Sequence, residues 1–155
     1  MFEANIYQER RNNLKNKFDS GLLLFLGNEE TPANYLANTY TFRQDSSFLF
    51  YFGIDRAGFA AIIDIDNNLE TIFANDFGID EIVWMGPQPK VSELAERTGI
   101  YRTAPVDKLA EQINNAVKKG RKIHFLPQYK PENTLKIATL TGLNSLNVND
   151  YVSEK

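Results

Sequence analysis

Apolar positions along the chain alternate between two periodicities. In "NIYQERRNNLKNKF", Tyr7, Leu14 and Phe18 fall on one helical face among polar residues, and Gly21 ends the segment. "LLLFL", Leu22 to Leu26, follows as a short run that is apolar at every position, the pattern of a strand covered on both faces. From Gly27 to Thr41 the chain turns polar, with Pro32 and several asparagines, which predicts a long loop of the functional kind. "AGFAAIIDIDNNLETIFAND" predicts two strands joined through Asp64-Ile65-Asp66-Asn67-Asn68, a hairpin.

Further along, "PKVSELAERTG" predicts a short helix with Val91, Leu94 and Ala95 on one face and Gly99 as its stop. "PVDKLAEQINNAVKKG" is the clearest helix. Pro105 presets its start, Val106, Leu109, Ala110, Ile113 and Val117 form one stripe, Lys118 and Lys119 complement the dipole, and Gly120 closes it. "KIHFL" predicts another strand, and "PENTLKIATLTG" a last helix ending at Gly142. Helices alternating with short apolar strands imply a layered α/β sheet, mixed because one strand pair is a hairpin. The tail "LNSLNVNDYVSEK" is less regular, and it hints at a piece of something longer.

One stretch resists this simple parsing. "YTFRQDSSFLFYFGID" sets Arg43, Gln44, Asp45 and two serines directly before an aromatic run. Phe48, Phe50 and Phe52 alternate with Leu49 and Tyr51, which predicts a strand with one set of side chains on each face of a covered sheet. The polar residues before it are then expected at the sheet's edge. There an Arg43–Asp45 contact and backbone hydrogen bonds from Ser and Gln would brace the preceding loop.

Composition narrows the function classes. The 155 residues are long enough for one domain that buries roughly 70% of its unfolded surface. There are no cysteines, so a disulfide framework or thiolate metal site is excluded, in keeping with a reducing compartment. The formal charge is −3 and no Lys/Arg run exceeds two residues, which argues against nucleic acid as a partner. The N-terminus has no apolar signal-peptide core and no run is long enough to span a bilayer, so no membrane partner and a cytoplasmic location are expected.

Local catalytic signatures are missing. The single histidine, His124, sits within the strand "KIHFL", where a satisfied, semi-buried residue is expected. No HExxH, GxGxxG, GxxxxGK, GxSxG or SxxK motif occurs. Asp64 and Asp66, two apart on an extended segment, point to one face and could share Mg²⁺, as in a stand-alone nuclease, with Asp76, Asp80 and Glu81 as further carboxylates. The competing reading is turn chemistry, Asx side chains satisfying their own backbone. Trp84, the one tryptophan, lies in "IDEIVWMGP" and is either a core aromatic or one presented at an interface or pocket.

Taken in order, "YQERRNNL", "GLLLFLGNE", "TFRQDSSFLFYFGID", "AGFAAIID" and "EIVWMGPQ" resemble the N-terminal domain of Xaa-Pro aminopeptidases, of the creatinase/prolidase ("pita-bread") metallopeptidase family. The similarity runs from about Tyr7 to about Tyr151. Arg43, Gln44, Asp45, Ser47, Phe48 and Gly53 fit the aminopeptidase P version of its most specific segment. The resemblance implies residues 1–155 as a single N-terminal domain, a three-layer α/β/α unit with a ribonuclease H-like mixed sheet of about five to six strands. It implies no catalytic or metal-binding residues here. Two divalent cations, commonly manganese, would sit in a C-terminal catalytic domain that removes an N-terminal residue preceding proline. It further implies that this domain contributes to homo-oligomer contacts and walls the cleft, with Trp84 reaching toward a partner subunit's substrate pocket. A prolidase or creatinase-like parent is the close variant.

Overall fold

The computed structural model describes residues 2–36 and 38–151 of the chain. Its elements are α1 (Ala4–Lys15), β1 (Leu22–Leu26), β2 (Pro32–Tyr35), β3 (Asn38–Thr39), α2 (Ser46–Phe52), β4 (Ala60–Asp64) and β5 (Leu69–Phe73). These are followed by α3 (Ile79–Met85), α4 (Val91–Glu96), β6 (Thr103–Ala104), α5 (Asp107–Lys118), β7 (Ile123–Phe125), α6 (Pro131–Thr141) and a 3₁₀ segment (Ser145–Tyr151).

The main sheet has five strands in the order β6-β5-β4-β1-β7. β4 pairs antiparallel with β1, Leu22 opposite Asp64 and Leu26 opposite Ala60, and antiparallel with β5, Ala60 opposite Phe73. β1 with β7 and β5 with β6 are parallel. The sheet is therefore mixed, and only β4 runs against the rest. Every residue of β1 and β4 is buried: β1 is apolar throughout, and β4 is apolar up to its last residue, Asp64.

Alternation along the strands divides the core into two layers. Leu23, Phe25, Ala61, Ile63 and Ile72 meet Phe48 and Phe52 of α2 and Val91, Leu94 and Ala95 of α4, with Leu14 and Phe18 of the α1 region packed alongside. On the other face, Leu22, Leu24, Ala60, Ile62 and Phe73 meet Leu109 and Ile113 of α5, Ile137 and Leu140 of α6, and Val148. The result is the expected α/β/α sandwich. Ala116, not Val117, completes the buried stripe of α5, because Val117 points largely into solvent.

Two stretches contradict the sequence reading. The polar stretch after Gly27 holds a small antiparallel hairpin, β2–β3, where a loop was expected. The aromatic run is a helix, not a strand. Asp45 caps α2, its Oδ1 accepting from Phe48 N–H at 2.8 Å, and Gly53 ends it in the left-handed conformation at φ 62°. Phe48 and Phe52, one turn apart, are fully buried while Phe50 is exposed. An added Cβ at Gly53 would collide with the Cζ and hydroxyl end of Tyr7, so both the conformation and the packing call for glycine there.

Arg11 sits at the centre of the buried face of α1 and is fully buried. Its Nη1 donates to Tyr51 O at 3.0 Å and its Nη2 to Thr98 O at 2.9 Å, so one guanidinium joins α1 to the ends of α2 and α4. No helix among the described residues is long and apolar enough to cross a membrane.

Candidate functional site

Because β1, β5, β6 and β7 run in one direction, their C-terminal ends meet at one edge of the sheet, where open α/β folds place their ligands. Two exposed structures leave the body at this edge. The β2–β3 hairpin grows from the end of β1, and residues 77–89, carrying α3, grow from the end of β5.

The hairpin is tied down by Gln44, which is buried. Its Oε1 accepts from Asn28 N–H at 2.7 Å and Asp45 N–H at 3.0 Å, and its Nε2 donates to Ile54 O at 3.2 Å and Arg56 O at 2.8 Å. Asn28 adds a bond from its amide to Arg43 O at 2.8 Å. The expected glutamine brace therefore forms. The expected Arg43–Asp45 contact does not: Asp45 spends its carboxylate on the α2 cap, and the Arg43 side chain is exposed at the rim. A groove of about 490 Å³ opens between the hairpin stem and the start of α6, lined by Asn28, Tyr40, Phe42, Arg43 and Tyr129 among others.

The second arm is more unusual. α3 buries none of its seven residues, although five are Ile79, Ile82, Val83, Trp84 and Met85. Trp84 is 88% exposed, so the core reading of this residue does not apply. The helix is ordered locally: Glu81 reaches back to accept from Gly78 N–H at 2.7 Å, and Gly86 N–H bonds Ile82 O at 2.8 Å. At its base, Asp76 Oδ1 accepts from Val91 N–H at 2.6 Å, and Arg56 stacks on Phe77 with 3.7 Å between its Cζ and the ring centroid. Burial draws the Arg56 guanidinium below its ordinary value, against the attraction of Asp76 and Glu81. Arg56 and Arg11 escaped the sequence reading: Arg56 follows Asp55 in a short polar break and Arg11 sits in the polar run "QERRNN", both of which look like solvated surface.

Asp64, the last residue of β4, and Asp66, in the β4–β5 turn, lie at the opposite edge. Arg121 Nη2 reaches Asp64 Oδ1 at 2.6 Å, its Nε reaches Asp66 Oδ2 at 2.9 Å, and Asn67 N–H and amide both bond Asp64. Burial pushes the Asp64 carboxyl up, but the bonds from Arg121 and Asn67 together outweigh it and hold it below the usual carboxylate range. These carboxylates are turn and ion-pair groups. His124 is half-buried against Phe18, ring centroids 4.6 Å apart, with Nε2 3.0 Å from Ser20 O. Among the described residues no group of three or more His, Cys, Asp or Glu is placed to hold a metal ion, so the described side chains do not fit a metal centre.

A family profile described as "Aminopeptidase P, N-terminal domain" matches residues 7–124. The chain belongs to this family. This aminopeptidase P-type N-terminal domain is 41% identical over 56 residues to a probable Xaa-Pro aminopeptidase of Aspergillus clavatus, covering 36% of this chain and 11% of that protein. It is 26% identical over 94 residues to an Xaa-Pro dipeptidase of Homo sapiens, covering 61% and 19% respectively. The fold matches Escherichia coli aminopeptidase P in its low pH form with a TM-score of 0.73 at 16% identity, over 90% of this chain and 32% of that one. Proline aminopeptidase P II of Yersinia pestis gives 0.72 at 20% identity, over 89% and 33%. The domain thus spans under a quarter of the curated relatives and about a third of the solved chains. Aminopeptidase P is a metal-dependent family, and a zinc-substituted E. coli form is among the structures with this fold.

Proposed function

We propose that this N-terminal domain has no catalytic centre of its own and walls the substrate cleft of an Xaa-Pro aminopeptidase. The parent enzyme would act in the cytoplasm on peptides with proline at the second position. Its own C-terminal catalytic domain would hold the two divalent cations, manganese being the expected metal. The observation that carries this reading is the exposed α3, whose apolar side chains and Trp84 stand in solvent at the edge formed by the C-terminal ends of the parallel strands. An apolar helix kept in water has no folding rationale, and surfaces of this kind mark contacts with another body. Tyr35, Leu36 and Tyr40 of the hairpin region add to the same rim, with Arg43 beside them. We assign Trp84 and Arg43 to substrate-cleft or subunit-interface contacts, in a homo-oligomer paired through this domain, and Asp45 to shaping the loop behind them.

A dipeptidase parent is the second reading, supported by the likeness to the human Xaa-Pro dipeptidase. The test is kinetic. The 155-residue chain with Mn²⁺ should not turn over an Xaa-Pro peptide, whereas a product of the same gene that includes a catalytic domain should. In the active protein, Trp84→Ala should raise KM for Xaa-Pro peptides. Turnover by the chain alone, or an unchanged KM in that variant, counts against the proposal.

A further inference from the structure

We infer that Arg56 is the positioning residue that fixes the direction of the Trp84 arm and couples it to the hairpin. This rests on the reading that Trp84 works at the cleft or interface. The arm leaves the body at Phe77 and returns at Pro89, and the Arg56 guanidinium touches both stems. Its plane stacks on the Phe77 ring at 3.7 Å, and its Nη1 donates to Pro89 O at 3.1 Å. Arginine suits both contacts, because its flat, delocalised cation can cover a ring and aim a donor sideways. Among the described residues α3 itself buries no side chain, and the Asp76–Val91 bond closes only the base of the arm, so the contacts at its two half-buried stems, Phe77 and Pro89, set its direction.

Arg56 is itself held from behind. Its carbonyl accepts from Gln44 Nε2 at 2.8 Å, and the same Gln44 holds Asn28 N–H at the root of the hairpin. The buried Phe59 ring lies 5.6 Å from the Arg56 Cζ. Hairpin and arm, separated by β4 in the sheet, therefore share one continuous set of contacts: Asn28, Gln44, Arg56, then Phe77 and Pro89. A shift of the hairpin on binding would be passed to Trp84 through it.

Trp84 is the chain's single tryptophan and so reports on the arm directly. Time-resolved fluorescence anisotropy and amide hydrogen exchange of the free chain should be compared for the wild type, Arg56→Gln, Arg56→Lys and Lys108→Ala, the last a control on α5. With Arg56→Gln, the fast local part of the anisotropy decay should grow about twofold and exchange across 78–88 should quicken about fivefold or more, while β1 and β4 keep their protection. Arg56→Lys should fall between, and Lys108→Ala should match the wild type. Should Arg56→Gln not fold, Phe77→Leu removes the stack and should loosen Trp84 in the same way. Unchanged Trp84 motion in these variants, or loosening only in step with β1 and β4, overturns the inference. The measurement uses no substrate, so it can fail while the cleft role of Trp84 stands, and the reverse.

Discussion

Arg11 Nε lies 2.9 Å from Glu70 Oε2, and the same carboxylate meets Lys15 Nζ through its other oxygen at 3.0 Å. A fully buried cation on α1 is thereby paired with an acid on β5. Burial draws the Arg11 guanidinium down, while the attraction and hydrogen bond of Glu70 oppose that shift. Its remaining donors meet the carbonyls of Tyr51 and Thr98, so the ion pair stitches the helical layer to the sheet.

Removing that cation leaves three acceptors without their donor. Arg11→Met should destabilise the domain by about 3 kcal/mol, read from the urea midpoint at unchanged slope, because a buried pair is costly to break from one side. Arg11→Lys should recover only part of this, since a single ammonium cannot reach all three acceptors.

Gln44 is the corresponding polar centre at the root of the β2–β3 hairpin. Gln44→Leu keeps the volume and strands Asn28 N–H, Ile54 O and Arg56 O, at an expected loss of about 2 kcal/mol. Hydrogen exchange should rise through residues 28–43 before it rises in the main sheet. Uniform exchange across the chain would show that the glutamine has no special hold on the hairpin.

The depressed Asp64 carboxyl predicts an acid-side dependence. A group whose folded pKa lies below its unfolded value adds stability above the unfolded value, about 3.9, and that stability disappears as pH falls through the lower folded value. Thermal stability should drop across this window, and Asp64→Asn should flatten the drop while lowering stability near neutrality. An identical acid limb in the variant would assign the loss to other groups.

Gly53 and Trp84 make opposite predictions although both lie in the segments that carry the family likeness. Gly53→Ala should cost more than 1 kcal/mol, because it combines a left-handed backbone with a collision against Tyr7. Trp84→Ala should change folding stability by less than about 0.5 kcal/mol, since the side chain touches little of its own domain. Denaturation followed by circular dichroism measures both.

Much of this architecture was legible in residue order. "LLLFL" and the "AGFAAIIDIDNNLETIFAND" hairpin form as their patterns predict, because strands covered on both faces are rich in apolar residues and Asp64 to Asn68 carry their own turn bonds. The aromatic run misled because a short apolar stretch with an alternating look is ambiguous between strand and helix. Asp45 three residues before Phe48 and Gly53 at the end were the available helix signals, and they name the observed cap and stop.

What the sequence by itself determined is a set of local choices: the wholly apolar strand β1, the β4–β5 turn, the helix stop at Gly142, and the ordered segments that mark the family. These depend on backbone preference and on periodic burial, which neighbours in the chain settle among themselves. Only the tertiary structure decided the fate of the charges. Whether Arg11 is buried, Arg56 clasps an arm, Arg121 takes both aspartates or Arg43 stands free depends on groups brought together from distant parts of the chain. A charged side chain carries no mark of its partner until folding supplies one, and the exposure of Trp84 likewise follows from α3 having no layer of its own domain to lie against.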